Sequence, residues 1–411
     1  MVFQWIVLTV IASLSLVYGS ISIYSIIKRL RKSVWIDITK DTDFNDMPRV
    51  AILLPLYRER YEDIELVFKS IAMQIYPRDR IMVVIALEKD DNETLYFVEK
   101  LKDIVINQGI DLAIVVNEDR RKSKAYALNR AISKISHLVD FVVVYDAGDM
   151  ITDRLHIAKI AMLIKKGYDV IGSKVYRIGN HILGRLSFLD TLLWYDVALP
   201  GIVKLIGYPL VSGEGMAISM RFLKIVNGFP DKLTEDSYMT MLVAAHGGKA
   251  ALLNTIIYEG APSTLKSFIK QRLRWYRGYL ECFKDLILIY RKSLKLPVVL
   301  KLGIAYIEPL ALISTMVSFI TIAFVPHMEI PIYTLYIVLI SVILTLSAPL
   351  YIILDLKIKD PTVFIAPFYW ASQGIIALAC LLPIHIPWLR TTRTTIPIPK
   401  TNPKQYQSID I

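Results

Sequence analysis

"FVVVYDAGD", Phe141–Asp149, sets an uncharged run against a turn that carries two carboxylates. A run too short for a helix and closed by Asp and Gly reads as a strand buried on both faces. Three other stretches share its character: "RVAILLP" (Arg49–Pro55), "IMVVIAL" (Ile81–Leu87) and "AIVV" (Ala113–Val116). Between them, Glu62–Gln74, Asn92–Asn107 and Ser123–Ser136 have helical periodicity. Strands alternating with helices predict a parallel α/β sheet covered on both faces. Ligands in such sheets bind beyond the carboxyl ends of the strands, so the residues just after each run are the candidates for a site.

Those residues are polar: "LYRER" (Leu56–Arg60), "EKDDNE" (Glu88–Glu93) and "DAGD" (Asp146–Asp149). Any one of them is an ordinary turn. Together at one sheet edge they suit a hard divalent cation that bridges to substrate phosphates. Downstream, "LTEDS" (Leu233–Ser237) places two acids after Thr234. It reads either as a helix N-cap with a favourable first turn or as a carboxylate base.

The chain of 411 residues is 54% hydrophobic and yet carries a formal net charge of +11. That pairing suits a membrane protein with a folded, cytoplasm-facing domain. The basic balance by itself suits nucleic acid, anionic lipid or phosphorylated substrate, and nucleic acid is not among the expected partners. Two cysteines, Cys282 and Cys380, exclude a disulfide framework and a zinc site. His246 reads as structural, and His137 and His156 as surface residues. Val2–Ile27 is free of charge, and Lys28, Arg29, Arg31 and Lys32 follow it. Residues 1–27 are therefore expected to form a transmembrane anchor with the next segment in the cytoplasm.

At the other end, 279–293 reads as an interfacial amphipathic helix, and 302–325 and 331–354 as transmembrane helices. Glu308, an acid inside a span, is a candidate for a polymer path or for helix packing. The segment 361–389 is expected to be interfacial or re-entrant, because a further span would put the basic tail, 390–411, outside. One acid in a span is too little for a transporter, and a receptor would leave the ordered acidic stretches unexplained.

Just before the apolar end stands "KQRLRWYRG", Lys270–Gly278. On a helix, Gln271, Arg274 and Trp275 share one face. The ordered set "LPLYRE", "VVIALEKDDNET", "KSKAYALNRAI", "VVVYDAGD", "GFPDKLTEDS" and "QRLRW" resembles the membrane-embedded, processive-type family-2 glycosyltransferases, the group of cellulose, chitin and hyaluronan synthases. The resemblance implies a GT-A (Rossmann-like) cytoplasmic catalytic domain over 48–278, with transmembrane helices on both sides. It implies inverting transfer from a nucleotide-diphosphate sugar, usually a UDP-sugar, to a growing polysaccharide at the cytoplasmic face of the cell membrane. The alternative is single transfer to a membrane lipid.

By the same resemblance Tyr57, Glu59, Glu88, Asp90, Lys124, Asp146 and Arg274 bind the nucleotide sugar. Asp236, beside Glu235, is the catalytic base, and Gln271 and Trp275 contact the acceptor. Mg²⁺ or Mn²⁺ is expected on Asp146, with Asp149 supplying the oxygen that relatives take from an acid where this chain has Gly148. Lys270, Arg272 and Arg277 are expected to face lipid headgroups. "WLRTTRT" (Trp388–Thr394) resembles an element that lies over the active site, with Arg390 where lysine is usual. So few spans make a polymer channel hard to build from one chain, so the expected partners include a lipid acceptor, a second copy or a helper subunit.

Overall fold

A computed structural model of the chain describes residues 2–38, 44, 46–118, 122–324, 329–382 and 391–396. Among the described residues nine strands form one sheet: β1 (Trp35–Ile36), β2 (Val50–Leu56), β3 (Ile81–Glu88), β4 (Asp111–Asn117), β5 (Phe141–Val144), β6 (Met150–Ile151), β7 (Val170–Ile178), β8 (Met216–Ser219) and β9 (Ala250–Gly260). The spatial order is β1-β9-β7-β8-β5-β2-β3-β4, with β6 paired to β9. The central strands are apolar at every position because both faces are covered. Ala51, Leu53, Val142 and Val144 belong to one core cluster, and their neighbours Val50, Ile52, Phe141 and Val143 to the other.

Helix α1 (Val2–Ile27) precedes the sheet. Helices α2 (Tyr61–Ala72), α3 (Asn92–Leu101) and α5 (His156–Lys165) cover one face, and α4 (Lys124–Ile135) the other. His156 is fully buried and bonds through Nδ1 to Thr255 Oγ1 at 2.8 Å, which corrects its reading as a surface residue. The chain leaves β2 outward through β3 and β4, then returns to β5 on the other side. This reversal opens a crevice at the carboxyl ends of β2 and β5.

The all-parallel expectation fails at two strands, the short β6, which pairs antiparallel with β9, and β8. β8 runs antiparallel to both β5 and β7, so the sheet is mixed. The consequence is functional in form: the residues that precede β8, Gly213 and Glu214, arrive at the edge where β5 and β7 end.

Further helices are α6 (Ile182–Leu193), α7 (Glu235–His246), α8 (Leu265–Leu288), α9 (Leu296–Tyr306), α10 (Glu308–Phe324), α11 (Ile332–Leu354) and α12 (Ala366–Ala379). Among the described residues three helical stretches are long and apolar enough to cross a membrane: Phe3–Ile27, Ile182–Ile206 and Ile332–Leu354. The second was not anticipated from sequence. It is 72% buried inside the protein and carries a π turn at Trp194–Ala198, so it serves as a core element. In that turn, fully buried Asp196 binds Lys174 at 2.9 Å, Arg31 at 3.0 Å and the Tyr176 hydroxyl at 2.7 Å. The segment after α1 is thereby tied to the sheet.

Three boundaries differ from expectation. The amphipathic stretch 279–293 is no separate helix: α8 carries "QRLRW" and continues to Leu288 without a break. The helix expected over 302–325 is broken at Ile307, where α9 and α10 meet at 54°. Pro309 explains the break, since proline lacks the N–H an uninterrupted helix needs and restricts the residue before it. Finally, α12 has 14 residues, about 21 Å against a hydrocarbon core of about 30 Å.

Candidate active site

The turn after β5 shows why glycine stands at position 148. Gly148 has φ +86°, a left-handed conformation that disfavours side chains. The turn closes with the Asp146 N–H donating to Asp149 Oδ2 at 2.8 Å. Asp149 is thus fully buried beneath the turn, while the Asp146 side chain is 23% exposed. Burial and then the neighbouring Asp146 push the Asp149 carboxyl well up. Through Oδ2 Asp149 holds the turn, while its Oδ1 is buried without a hydrogen-bond partner.

Asp146 is bracketed by cations. Lys124, the first residue of α4, reaches Asp146 Oδ1 at 2.9 Å and Glu235 Oε1 at 3.3 Å. Arg393 reaches Asp146 Oδ2 at 3.2 Å. Burial raises the Asp146 carboxyl, but Lys124 and Arg393 outweigh it and hold the group below the usual carboxylate range. Burial likewise opposes the charge on Lys124, and Asp146, Glu235 and Glu214 reverse that effect and raise it.

Asp236 stands in the first turn of α7. Its Oδ2 accepts the Gly213 N–H at 2.9 Å, and its Oδ1 accepts the Ser237 N–H at 2.7 Å. Burial, followed by Glu235 and Glu214, pushes this carboxyl up to about 7. A Cβ at Gly213 would lie 3.3 Å from Lys124 Nζ and 3.5 Å from Asp236 Oδ2, so the cluster packs directly on the backbone there. Thr234 precedes α7, but its hydroxyl does not cap the helix. It packs under α8 instead, where a Cβ at Gly278 would meet Thr234 Oγ1 at 2.4 Å.

On α8, Trp275 lies between two guanidinium groups, Arg177 at 4.4 Å and Arg272 at 4.6 Å from the ring centre. Such contacts fix an indole plane. Arg177 is held by Glu259 at 2.7 Å, and buried Arg272 by Asp190. Arg272 therefore does not face lipid headgroups, and Arg277 donates to the Cys380 carbonyl at 2.8 Å, so both expectations are corrected. Gln271 is fully buried with both amide atoms inaccessible, and it does not line the cavity below Trp275. The expectation of an acceptor contact from Gln271 is corrected, because its side chain is sealed inside the protein. Arg274 lies close enough to Asp146 to help keep its carboxyl ionised.

The other expected donor residues gather at the ends of β2 and β3. Tyr57 is half-buried under Arg58 and Lys122, whose cations lie 5.0 and 5.7 Å from its ring. Glu59 is held through its backbone N–H, which donates to Thr94 Oγ1 at 3.0 Å. Glu88 is buried and accepts from Asn117 Nδ2 at 3.0 Å, while exposed Asp90 pairs with Lys122.

Three charged groups at the site were not read from sequence: Glu214, Arg177 and Glu259. The available signal was Glu214 between two glycines, Gly213 and Gly215. Arg393 was quoted only as part of "WLRTTRT". The structure pairs it with Asp146, Glu259 and Glu214, and bridges it antiparallel to Pro262. Trp388 and Arg390 lie outside the described residues.

Trp275, Asp236, Glu214, Arg177 and Thr234 line one end of a cavity of about 350 Å³ that continues between α1, α10 and α11. No three acidic, His or Cys side chains converge as a metal site among the described residues. Asp146 alone still fits a metal, because Mg²⁺ is commonly held by one carboxylate together with substrate phosphates.

Residues 48–278 match the family described as "Glycosyltransferase like family 2". Over 242 residues the chain is 24% identical to the probable glycosyltransferase YdaM of Bacillus subtilis, covering 57% of this chain and 56% of that one. Over 278 residues it is 24% identical to the hyaluronan synthase of Streptococcus pyogenes serotype M1, covering 61% of each. The chain thus spans well under two thirds of the length of these relatives. Among solved structures, the mannosyltransferase PcManGT of Pyrobaculum calidifontis, in complex with GDP-Man and Mn²⁺, superposes with a TM-score of 0.59. It is 21% identical, and the match covers 91% of this chain and 97% of that one. With its GT-A type α/β sheet and a family match over more than half its length, the chain is an enzyme of the family-2 glycosyltransferases.

Proposed function

We infer that this enzyme moves a sugar, with inversion, from a nucleotide-diphosphate donor to a hydroxyl of a growing glycan at the cytoplasmic face of a membrane. The carrying observation is the ion-paired set Lys124, Asp146 and Glu235 next to Asp236, which lines one cavity together with Trp275. The nucleoside lies along Tyr57, Glu59, Glu88 and Asp90. Lys124 and Arg274 meet the diphosphate and stabilise its growing charge as the glycosidic bond breaks. Asp146 would hold Mg²⁺ or Mn²⁺, which supplies further neutralisation of the leaving group.

The acceptor hydroxyl lies against Trp275, and Asp236 takes its proton. A base with a pKa near the working pH is favourable for that task, which gives the raised Asp236 carboxyl a purpose. Attack from the side opposite the diphosphate inverts the anomeric carbon. For the membrane we propose α1, α11 and the bent α9–α10 pair as spans, with α12 at the interface and the tail on the cytoplasmic side. Only Lys270 remains in the role of headgroup cation.

The test is purified protein in nanodiscs with a panel of UDP-sugars and GDP-mannose, followed by product sizing. A ladder of chain lengths is expected, with transfer abolished and nucleotide still bound in Asp236→Asn. Normal transfer by that variant refutes the mechanism.

A second reading, single transfer to a membrane lipid, is favoured by one specific feature, the way the cavity reaches the outside of the helical bundle.

A further inference from the structure

The cavity that starts at Asp236 extends along the seam between α1 and α11 as far as Ser15 and Ser341. Over most of its length that seam is shut. Thr9 and Thr334 are joined by a hydrogen bond of 2.7 Å, and Ser15 and Ser341 by one of 2.6 Å. One turn on, Gly19 lets the helices touch, since a Cβ there would lie 2.7 Å from Leu344 Cδ1.

A turn further towards the catalytic domain the cavity reaches the surface. Ile23 and Ser347 both line the cavity, yet Ile23 is 40% exposed and Ser347 is also exposed. The level is fixed by the chain itself. Ile27 ends α1, and Arg31 is already bound to the domain through Asp196. The opening therefore faces sideways out of the bundle at its domain-facing end.

The wall changes character along the way. Inside are hydroxyls of Ser22 and Thr345 and the Glu308 carboxylate, which suit the hydroxyls of a polar head. At the rim are Ile23, Leu344 and Ala348, which suit a hydrocarbon chain. A water-soluble acceptor has no use for a gap between two helices that face the bilayer, whereas a molecule dissolved in the bilayer needs one.

We propose that this gap is a portal for an amphipathic acceptor: its hydroxyl-bearing head enters the cavity towards Asp236 and its alkyl chain stays in the bilayer between α1 and α11. The proposal rests on the transferase reading of the site and adds the acceptor's class and route. The glycan then grows on a lipid-borne head.

The probes are methyl β-D-glucoside and dodecyl β-D-glucoside, the latter also with a diazirine at its chain end, and the protein is in phosphatidylcholine nanodiscs. Three forms are compared: wild type, Ala348→Trp and Ile23→Trp, whose indoles fill the rim. With the productive nucleotide sugar, the wild-type KM for the dodecyl glucoside is expected at least tenfold below that for the methyl glucoside. Both variants should cut this preference severalfold, and comparison with wild type cancels partition into the bilayer. Light-driven adducts should map to α1 and α11 about Ile23 and Leu344 in wild type and be lost in Ala348→Trp. Adducts spread evenly over the apolar helices, or a preference unchanged in both variants, overturn the portal. Titration with UDP and GDP separates the two levels: a protein that binds neither fails the transferase reading, while the adduct map still decides the portal.

Discussion

Replacing Asp236 by Asn should make the enzyme inactive and, at alkaline pH, more stable. The folded carboxyl titrates at about 7, against about 3.9 in an unfolded chain. An acid whose folded pKa is raised binds more protons folded than unfolded, so its contribution to stability is full below the unfolded value and is lost as pH rises to the folded one. The full loss is about 4 kcal/mol, a ceiling because the carboxylate opens on the cavity and shares its field with Glu235 and Glu214. Between pH 5 and pH 8 it amounts to about 2.6 kcal/mol, and it is nearly constant above. The asparagine carries no such term. Its amide can accept from only one of the two N–H donors, Gly213 and Ser237, at a cost of about 1–2 kcal/mol at every pH. Thermal unfolding in detergent at pH 5 and pH 8 should therefore show the difference between variant and wild type moving by about 2–3 kcal/mol in the variant's favour. For a domain of this size that is roughly 5–10 °C in Tm. A difference that does not change with pH, or moves the other way, would refute the account of Asp236.

The same carboxyl predicts a rate profile: kcat/KM rises tenfold per unit below about pH 7 and is flat above it, as read from initial rates across pH. Arg393→Ala leaves Glu259 and Asp146 without their shared cation, and a loss of about 3–5 kcal/mol is expected in unfolding measurements, with partial recovery in Arg393→Lys. Gly278→Ala puts a methyl group into Thr234, 2.4 Å from its Oγ1. Transfer should fall at least tenfold while UDP or GDP still binds, because the displaced loop carries Asp236 and not the nucleoside residues. Asp149→Asn should keep the metal dependence of wild type and Asp146→Asn should lose it, as tested by rates against added Mn²⁺.

The central strands were legible because burial on both faces leaves no polar position in them, and "DAGD" was legible because a buried strand must end in a turn. The direction of β8 was not. Four apolar residues, Met216–Ser219 with one serine, carry no mark of which way they run. That direction brings Gly213 and Glu214 to the site. Gly148 could be recognised as a departure, but only its positive φ explained it, and only the hydrogen bond from the Asp146 N–H showed that Asp149 ties the turn. Helical spacing grouped Gln271, Arg274 and Trp275 on a face, yet that face is divided. Gln271 is sealed in the protein, and Trp275 is fixed by Arg177, a residue nearly a hundred positions away in the chain.

By itself the sequence determined the layer architecture, the edge of the sheet that carries the chemistry and the apolar helices, because periodicity and strand-end polarity are local properties of a chain. Tertiary structure alone decided which charges meet. Arg393, Glu259, Arg177 and Glu214 come from four separate segments and acquire their roles only by sharing a few ångströms of space with limited water. It also decided where α1 and α11 part, since the position of a gap between two apolar helices depends on the small residues and hydroxyls that close the rest of the seam.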